Sequence, residues 1–97
     1  MSTPDFEWDS RKAASNRKKH GVTFDEAQSA FMDEHARVMP DPIQPDDEDR
    51  FVLLGLSTQL RLLIVCHCYR QNDNTIRIIA ARKADKSERQ QYARFLK

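Results

Sequence analysis

The stretch that decides the fold runs from Arg50 to Lys83 and reads RFVLLGL-STQL-RLLIVCHCYR-QNDN-TIRIIAARK. Three runs of aliphatic and β-branched residues are separated by two short polar breaks, Ser57-Thr58-Gln59 and Gln71-Asn72-Asp73-Asn74. Residues of this type with turn formers between them predict strands over Arg50–Ser57, Arg61–Arg70 and Thr75–Lys83. Connections this short allow only antiparallel neighbours, because a parallel pair needs a long crossover.

Upstream, Ala36–Pro45 carries Pro40, Pro42 and Pro45 and reads as an edge strand running into a loop. Thr23-Phe24-Asp25-Glu26 is a capping box that opens a helix with Phe24, Ala27 and Phe31 on one face. An earlier helix starts at Asp9 as N-cap, gathers Lys and Arg in its last turn and stops at Gly21. Phe6-Glu7-Trp8 is a short aromatic strand. Downstream, Asp85 caps a last helix, with Glu88 three residues on and Tyr92, Phe95 and Leu96 at docking positions. The expected order is β-α-α-β-β-β-β-α: an α+β fold, with an antiparallel β-sheet packed on one face by helices. Ninety-seven residues without repeats or linkers are expected to make a single domain over 1–97.

The composition, 39% hydrophobic and 32% charged, is that of a globular protein, and no run approaches the apolar length needed to cross a bilayer. The N-terminus MSTPDFEWDS lacks the apolar stretch of a signal peptide, and a cytoplasmic location is expected. Cys66 and Cys68 sit two apart in a strand, where they cannot pair with each other, and are expected to be reduced thiols. The net charge of +1 hides a strong asymmetry. Residues 1–20 hold five basic and three acidic groups, residues 21–50 two and nine, and residues 51–97 nine and three. Basic ends around an acidic middle can build a local positive patch, or merely solvate opposite faces.

Strict alternation sorts the strands into faces. If Phe51, Leu53, Leu62, Ile64, Cys66, Ile76 and Ile78 meet the helices, the other face collects Glu48, Arg50, Arg61, His67, Tyr69 and Arg77. A carboxylate, an imidazole and several guanidinium groups on one face suit phosphodiester cleavage. That reaction needs a base, an acid and cations for the phosphorane charge. That face also carries Val52, Leu54, Leu63, Val65 and Ile79, enough apolar surface to expect a covering chain. Alternation puts Arg82 with Ile78 rather than with Arg77, so either the strand bulges before Arg82 or the two arginines do different jobs. Lys12, Asn16, Lys19 and His20 form one helix stripe that can line an RNA groove or be solvated. Within it, Asn16 is read as fixing the helix against neighbouring backbone, while Trp8 is read as core and His35 as inert. No metal is expected, because Cys66, His67 and Cys68 lack a second ligand cluster and the run Asp46–Asp49 alternates faces. Two other uses stay open: an RNA-binding or regulatory module without chemistry, and a dimerisation or scaffold domain.

The spaced series Phe6, Trp8-Asp9, Lys12, Asn16, Lys19-His20-Gly21-Val22, Phe24 resembles the N-terminal signature of the BrnT toxin family. The resemblance continues through Ala27, Phe31, Asp33, Glu48, Arg50 and Gly55. It closes on Ile76-Arg77-Ile78-Ile79-Ala80-Ala81-Arg82-Lys83-Ala84, Glu88-Arg89 and Tyr92. The family usually has Ser where this chain has Ala80, and Val65–Arg70 is less typical of it. The resemblance implies a RelE-like fold and an endoribonuclease toxin that blocks translation. It also implies neutralisation by a DNA-binding antitoxin of the BrnA type, in a complex that represses its own operon. Separately, a homodimer or a 2:2 complex is the expected assembly. Taking the sheet face, the helix stripe and this resemblance together, the candidate catalytic residues are Lys19, His20, Glu48, Arg50, His67, Arg77 and Arg82, without a cofactor. The candidate RNA-binding residues are Lys12, Arg61, Tyr69 and Lys83.

Overall fold

The computed structural model describes residues 4–43, 49–70 and 74–96. Among them the order is β1 Asp5–Glu7, α1 Ser10–His20, α2 Phe24–Ala30, β2 Arg37–Pro40, β3 Arg50–Leu56, β4 Leu62–Arg70, β5 Thr75–Lys83 and α3 Lys86–Phe95. This is the expected order and an α+β fold. The sheet runs β1-β5-β4-β3-β2. The pairs β2–β3, β3–β4 and β4–β5 are antiparallel, as the short turns require. The sheet is nevertheless mixed, because β1 joins β5 in parallel over Asp5–Glu7.

Helix ends follow the sequence signals. The Asp9 carboxylate accepts from the Arg11 and Lys12 amides; at α2 only half of the expected capping box forms, with Thr23 Oγ1 accepting from Glu26 N while the Glu26 carboxylate turns to Ser57 and Arg61. Asp85 and Glu88 complete a reciprocal capping box at α3. Gly21, at φ 70°, turns the chain out of α1 in the left-handed region where a Cβ would be strained.

Helices cover both faces of the sheet, not one. Leu53, Leu63, Val65, Ile78 and Ala81 pack with Val22, Phe24, Ala27 and Ala30 under α2. Trp8 packs against the same cluster, edge-on to Phe24 at 5.9 Å, as a core residue should. Val52, Leu54 and Ile64 point the other way and pack with Ala84, Tyr92 and Phe95 of the α3 region. The cause is plain in β3 and β4, which are apolar at successive positions, the pattern of strands buried on both sides. The apolar surface expected to need a covering chain is therefore covered largely by α2 and α3 of this chain. Gly55 is required beneath the end of α2, where a Cβ would lie 2.8 Å from the Ala30 carbonyl oxygen.

Two polar ties close the architecture. Glu26, 4% exposed, accepts two guanidinium hydrogen bonds from Arg61 and one from Ser57 Oγ at 2.7 Å. Arg61 also donates to the Gly21 carbonyl at 3.0 Å. Tyr92 Oη donates to Asp33 at 2.5 Å, and the same carboxylate oxygen accepts from Leu56 N, which ties α3 to the sheet rim. No helix among the described residues is long and apolar enough to cross a membrane.

Candidate active site

Between β4 and β5 the register slips once: Cys66 faces Ala80, yet His67 faces Ile78, leaving Ile79 as an extra residue. This bulge shifts alternation by one, so Arg77, Ala80 and Arg82 share a face with Ile64, Cys66 and Cys68. Arg50, opposite Cys68, joins them. The choice left open between a bulge and separate roles thus falls to a bulge. Three arginines from two strands stand on the α3 side of the sheet.

The helix α3 covers only part of that side. A cleft of about 540 Å³ remains, floored by Val52, Ile64, Cys66 and Ala80. Its walls are Met39–Ile43 on one side and Glu88 and Gln91 of α3 on the other; Arg50, Arg82 and His20 also line it. Here His20, at the C-terminal end of α1, lines the same cleft as two cations from β3 and β5.

Both arginines are oriented by carboxylates. Arg82 Nη1 and Nη2 donate to Glu88 Oε1 and Oε2 at 2.8 and 2.9 Å, a parallel fork. The Arg82 contact holds the Glu88 carboxyl below its ordinary range against the opposing effect of burial. Arg50 donates to Asp41 Oδ2 at 3.4 Å and to Cys66 Sγ at 3.2 Å, while Cys66 Sγ donates to the same Asp41 oxygen at 3.4 Å. Burial pushes the Cys66 thiol up despite the neighbouring guanidinium, so it is a neutral donor here. Burial also opposes ionisation of Asp41, but the Ile43 amide, Cys66 and Arg50 together hold its carboxyl low.

The remaining candidates are dispersed. Arg77 is on the cleft's side of the sheet but pairs with Glu7 at 2.7 Å, toward β1. Lys12, Lys19 and Lys83 are exposed, none of them lining the cleft. Glu48 lies outside the described residues. The expectation that His67 and Arg77 share a face is overturned. His67 is fully buried on the α2 side, edge-on to Phe31 at 4.9 Å, with Nδ1 3.0 Å from the Val65 carbonyl oxygen. Tyr69 is on that side too, 5.3 Å from His67 ring to ring. Because both sides of β4 are apolar, hydrophobicity does not distinguish its two residue sets, and the set that faces α2 is Leu63, Val65 and His67 rather than the expected Ile64 and Cys66. Arg61 is likewise not on the arginine face; it is spent on Glu26.

Sequence reasoning missed Asp41 and Glu88 as cleft residues. Asp41, between two prolines, gave no signal. Glu88 gave one that was read only as a helix cap, although its side chain serves Asp85 N and Arg82 together.

Comparison with known proteins identifies the fold and the family. No curated protein sequence matches the chain. Among solved structures, the crystal structure of the Brucella abortus ribonuclease toxin BrnT is similar, with a TM-score of 0.67 and 23% identity. The match covers 87% of this chain and 100% of that one, a likeness that shows the shared fold. The sequence model of one family, described as the ribonuclease toxin BrnT of type II toxin–antitoxin systems, matches residues 8–88. This chain therefore belongs to the BrnT family of ribonuclease toxins.

Proposed function

We propose that the chain cleaves RNA in the cleft between Met39–Ile43 and α3, without a metal ion. The observation that carries the reading is the convergence there of His20, Arg50 and Arg82, drawn from α1, β3 and β5. In the proposed reaction the ribose 2′-oxygen attacks phosphorus and the bond to the 5′-oxygen breaks. The products are a 2′,3′-cyclic phosphate and a free 5′-hydroxyl. One proton leaves the 2′-hydroxyl and one reaches the 5′-oxygen, and the His20 imidazole can take the first and return the second. Arg50 and Arg82 face the phosphorane oxygens, where fixed cations outside bulk water do most. Glu88 and Asp41 orient the guanidinium groups before substrate arrives, which reduces reorganisation during reaction.

Lys12 and Lys19 on α1 serve in this reading as RNA-backbone contacts outside the cleft, and Arg77 as a more distant cation. His67, Tyr69 and Arg61 have structural roles instead. Cleavage blocks translation in the cytoplasm, where Cys66 and Cys68, both free, stay reduced. A BrnA-type antitoxin holds the chain silent, and the assembly is a homodimer or a 2:2 complex.

The test is cleavage of a structured, end-labelled RNA in excess EDTA by wild type, His20→Ala, Arg50→Ala and Arg82→Ala. Activity that survives EDTA and fails in the variants supports the reading. Activity abolished by EDTA removes its metal-free chemistry, and activity retained by all three variants removes its location. Binding without cleavage by the wild type would favour a module that only holds RNA.

A further inference from the structure

The helix α1 has almost no apolar face with which to dock. Its sequence is SRKAASNRKKH, and its buried residue is Asn16. Ala13 adds one partly buried methyl group against the core. A helix without an apolar stripe must be held by something directional, and the Asn16 carboxamide supplies it. Nδ2 donates to the Ala81 carbonyl at 2.8 Å and to the Val22 carbonyl at 3.0 Å, and Oδ1 accepts from Ala81 N at 3.0 Å.

The two hydrogen bonds to Ala81 copy what a neighbouring strand would offer. Pairing between β1 and β5 ends at Glu7 with Arg77, and Ala81 lies four residues beyond. Asn16 thus takes the place of β1 on that part of β5. Ala81 is followed by Arg82, and Asn16 is followed one helical turn later by His20; both residues line the cleft. The third hydrogen bond, to Val22, fixes the chain just after His20 and Gly21.

We propose that Asn16 is a positioning residue for RNA cleavage: by locking α1 to β5 at Ala81, it sets His20 relative to Arg82. This rests on the ribonuclease reading of the cleft. A proton-transfer group and a cation must meet one phosphate, and displacement by about 1 Å can cost on the order of a hundredfold in rate. RNA affinity has other sources, in the exposed cations of α1, so it should move little.

The experiment compares Asn16→Ala with Ala13→Gly, which loosens the same helix without touching the carboxamide. Single-turnover rate and RNA affinity are measured separately at low temperature. Each is normalised to the folded fraction from Trp8 fluorescence. Asn16→Ala is expected to lose on the order of a hundredfold in rate per folded molecule with affinity within about threefold, while Ala13→Gly keeps its rate. Asn16→Asp should behave like Asn16→Ala, because it turns a carboxylate oxygen toward two carbonyls. A rate per folded molecule within about threefold of wild type, or an equal loss in Ala13→Gly, overturns the proposal. If Asn16→Ala does not fold, Asn16→Ser is judged by the same criteria. His20→Ala and Arg82→Ala run alongside. If both cleave normally, the cleft reading fails and takes this proposal with it. If they fail while Asn16→Ala cleaves normally, the positioning role alone is lost.

Discussion

Arg82 and Glu88 form a fork-to-fork pair, six residues apart, that joins the end of β5 to the first turn of α3. The Glu88 carboxylate also accepts from the Asp85 amide, so one side chain caps a helix and aims a guanidinium. Removing a well-placed cation from a phosphoryl site costs on the order of 3 kcal/mol of transition-state stabilisation, a hundredfold or more in rate. Arg82→Ala is expected to lose about that much in kcat, and Arg82→Lys to recover only part, because ammonium cannot reproduce the fork. Glu88→Gln should lower KM for RNA by removing a competing anion, while weakening the α3 cap by about 1 kcal/mol. Steady-state cleavage and thermal melts of the three variants check this. Full activity in Arg82→Ala would exclude Arg82 from the chemistry.

Arg61 separates a structural cation from a functional one. Its guanidinium satisfies Glu26, whose side chain is only 2% exposed, while Arg61 itself is 31% exposed. The Arg61 hydrogen bonds, opposed by burial, hold the Glu26 carboxyl low. Arg61→Ala strands a buried carboxylate and should cost about 3 kcal/mol of stability. RNA affinity of the folded fraction should not change. Denaturant melts and binding at low temperature read the two effects separately, and weakened binding without a stability loss would reverse the assignment.

How far the site could be read from sequence depends on how local its signals were. Caps at Asp9, Thr23 and Asp85 and the strands of β3–β5 were legible because each rests on neighbouring residues. The parallel pairing of β1 was not, since a three-residue strand carries no signal of its partner. Nor was the bulge at Ile79, which decides that Arg77 and Arg82 share a face. Alternation in TIRIIAARK shows that something must give, but not where. His67 is ambiguous for the opposite reason: between Cys66 and Cys68 the sequence accommodates it on either side of the strand. His20, Arg50 and Arg82 were named from residue type and family pattern, and only the tertiary fold brings them around one cleft.

The Tyr92–Asp33 tie makes a prediction for α3. Burial, then the Asp33 carboxylate, push the Tyr92 phenol up to about 12, so it remains a donor across the ordinary pH range. Asp33 keeps its Leu56 and His35 amides when Tyr92 is replaced, so the loss is confined to one charge-assisted hydrogen bond. Tyr92→Phe should destabilise by about 1.5–3 kcal/mol. Hydrogen exchange in α3 should quicken more than in β4. Uniform quickening would mean that α3 unfolds only with the whole chain.

His67 gives stability a pH dependence above the carboxylate range. Burial among Phe31, Phe51 and Tyr69 lowers its pKa from the ordinary 6.5, against a smaller opposing effect of the Val65 carbonyl. The unfolded chain then binds a proton that the folded chain refuses, so stability rises with pH in this window. The His67 contribution is complete above 6.5 and is lost as pH falls toward the lowered folded value. Glu26, Asp33, Asp41 and Glu88 are all held low, so their contributions disappear only at more acid pH, below ordinary values of 4.5 and 3.8. Melting temperature should drop in two stages, and His67→Phe should remove the upper one. A variant that keeps that stage would assign it to another group.

The last prediction concerns how RNA reaches the cleft. Arg50, Arg77 and Arg82 each hold a carboxylate. In contrast, among the described residues Arg11, Lys12, Arg17, Lys18 and Lys19 of α1 form no ion pair, and all five are exposed. Their helix ends at His20, on the cleft wall, so RNA held along α1 is led toward the arginines. Unpaired cations release counterions when they meet phosphate, and for single strands log K falls with log salt by about 0.7 per phosphate neutralised. Lys12→Gln and Lys19→Gln should each flatten that slope by about 0.7 and raise KM without changing kcat. Arg82→Ala should do the reverse, lowering kcat with little change in slope, because Glu88 already neutralises Arg82 before RNA arrives. Binding measured between low and moderate salt decides the matter. An unchanged slope in both lysine variants would mean that RNA approaches from the α3 side of the cleft.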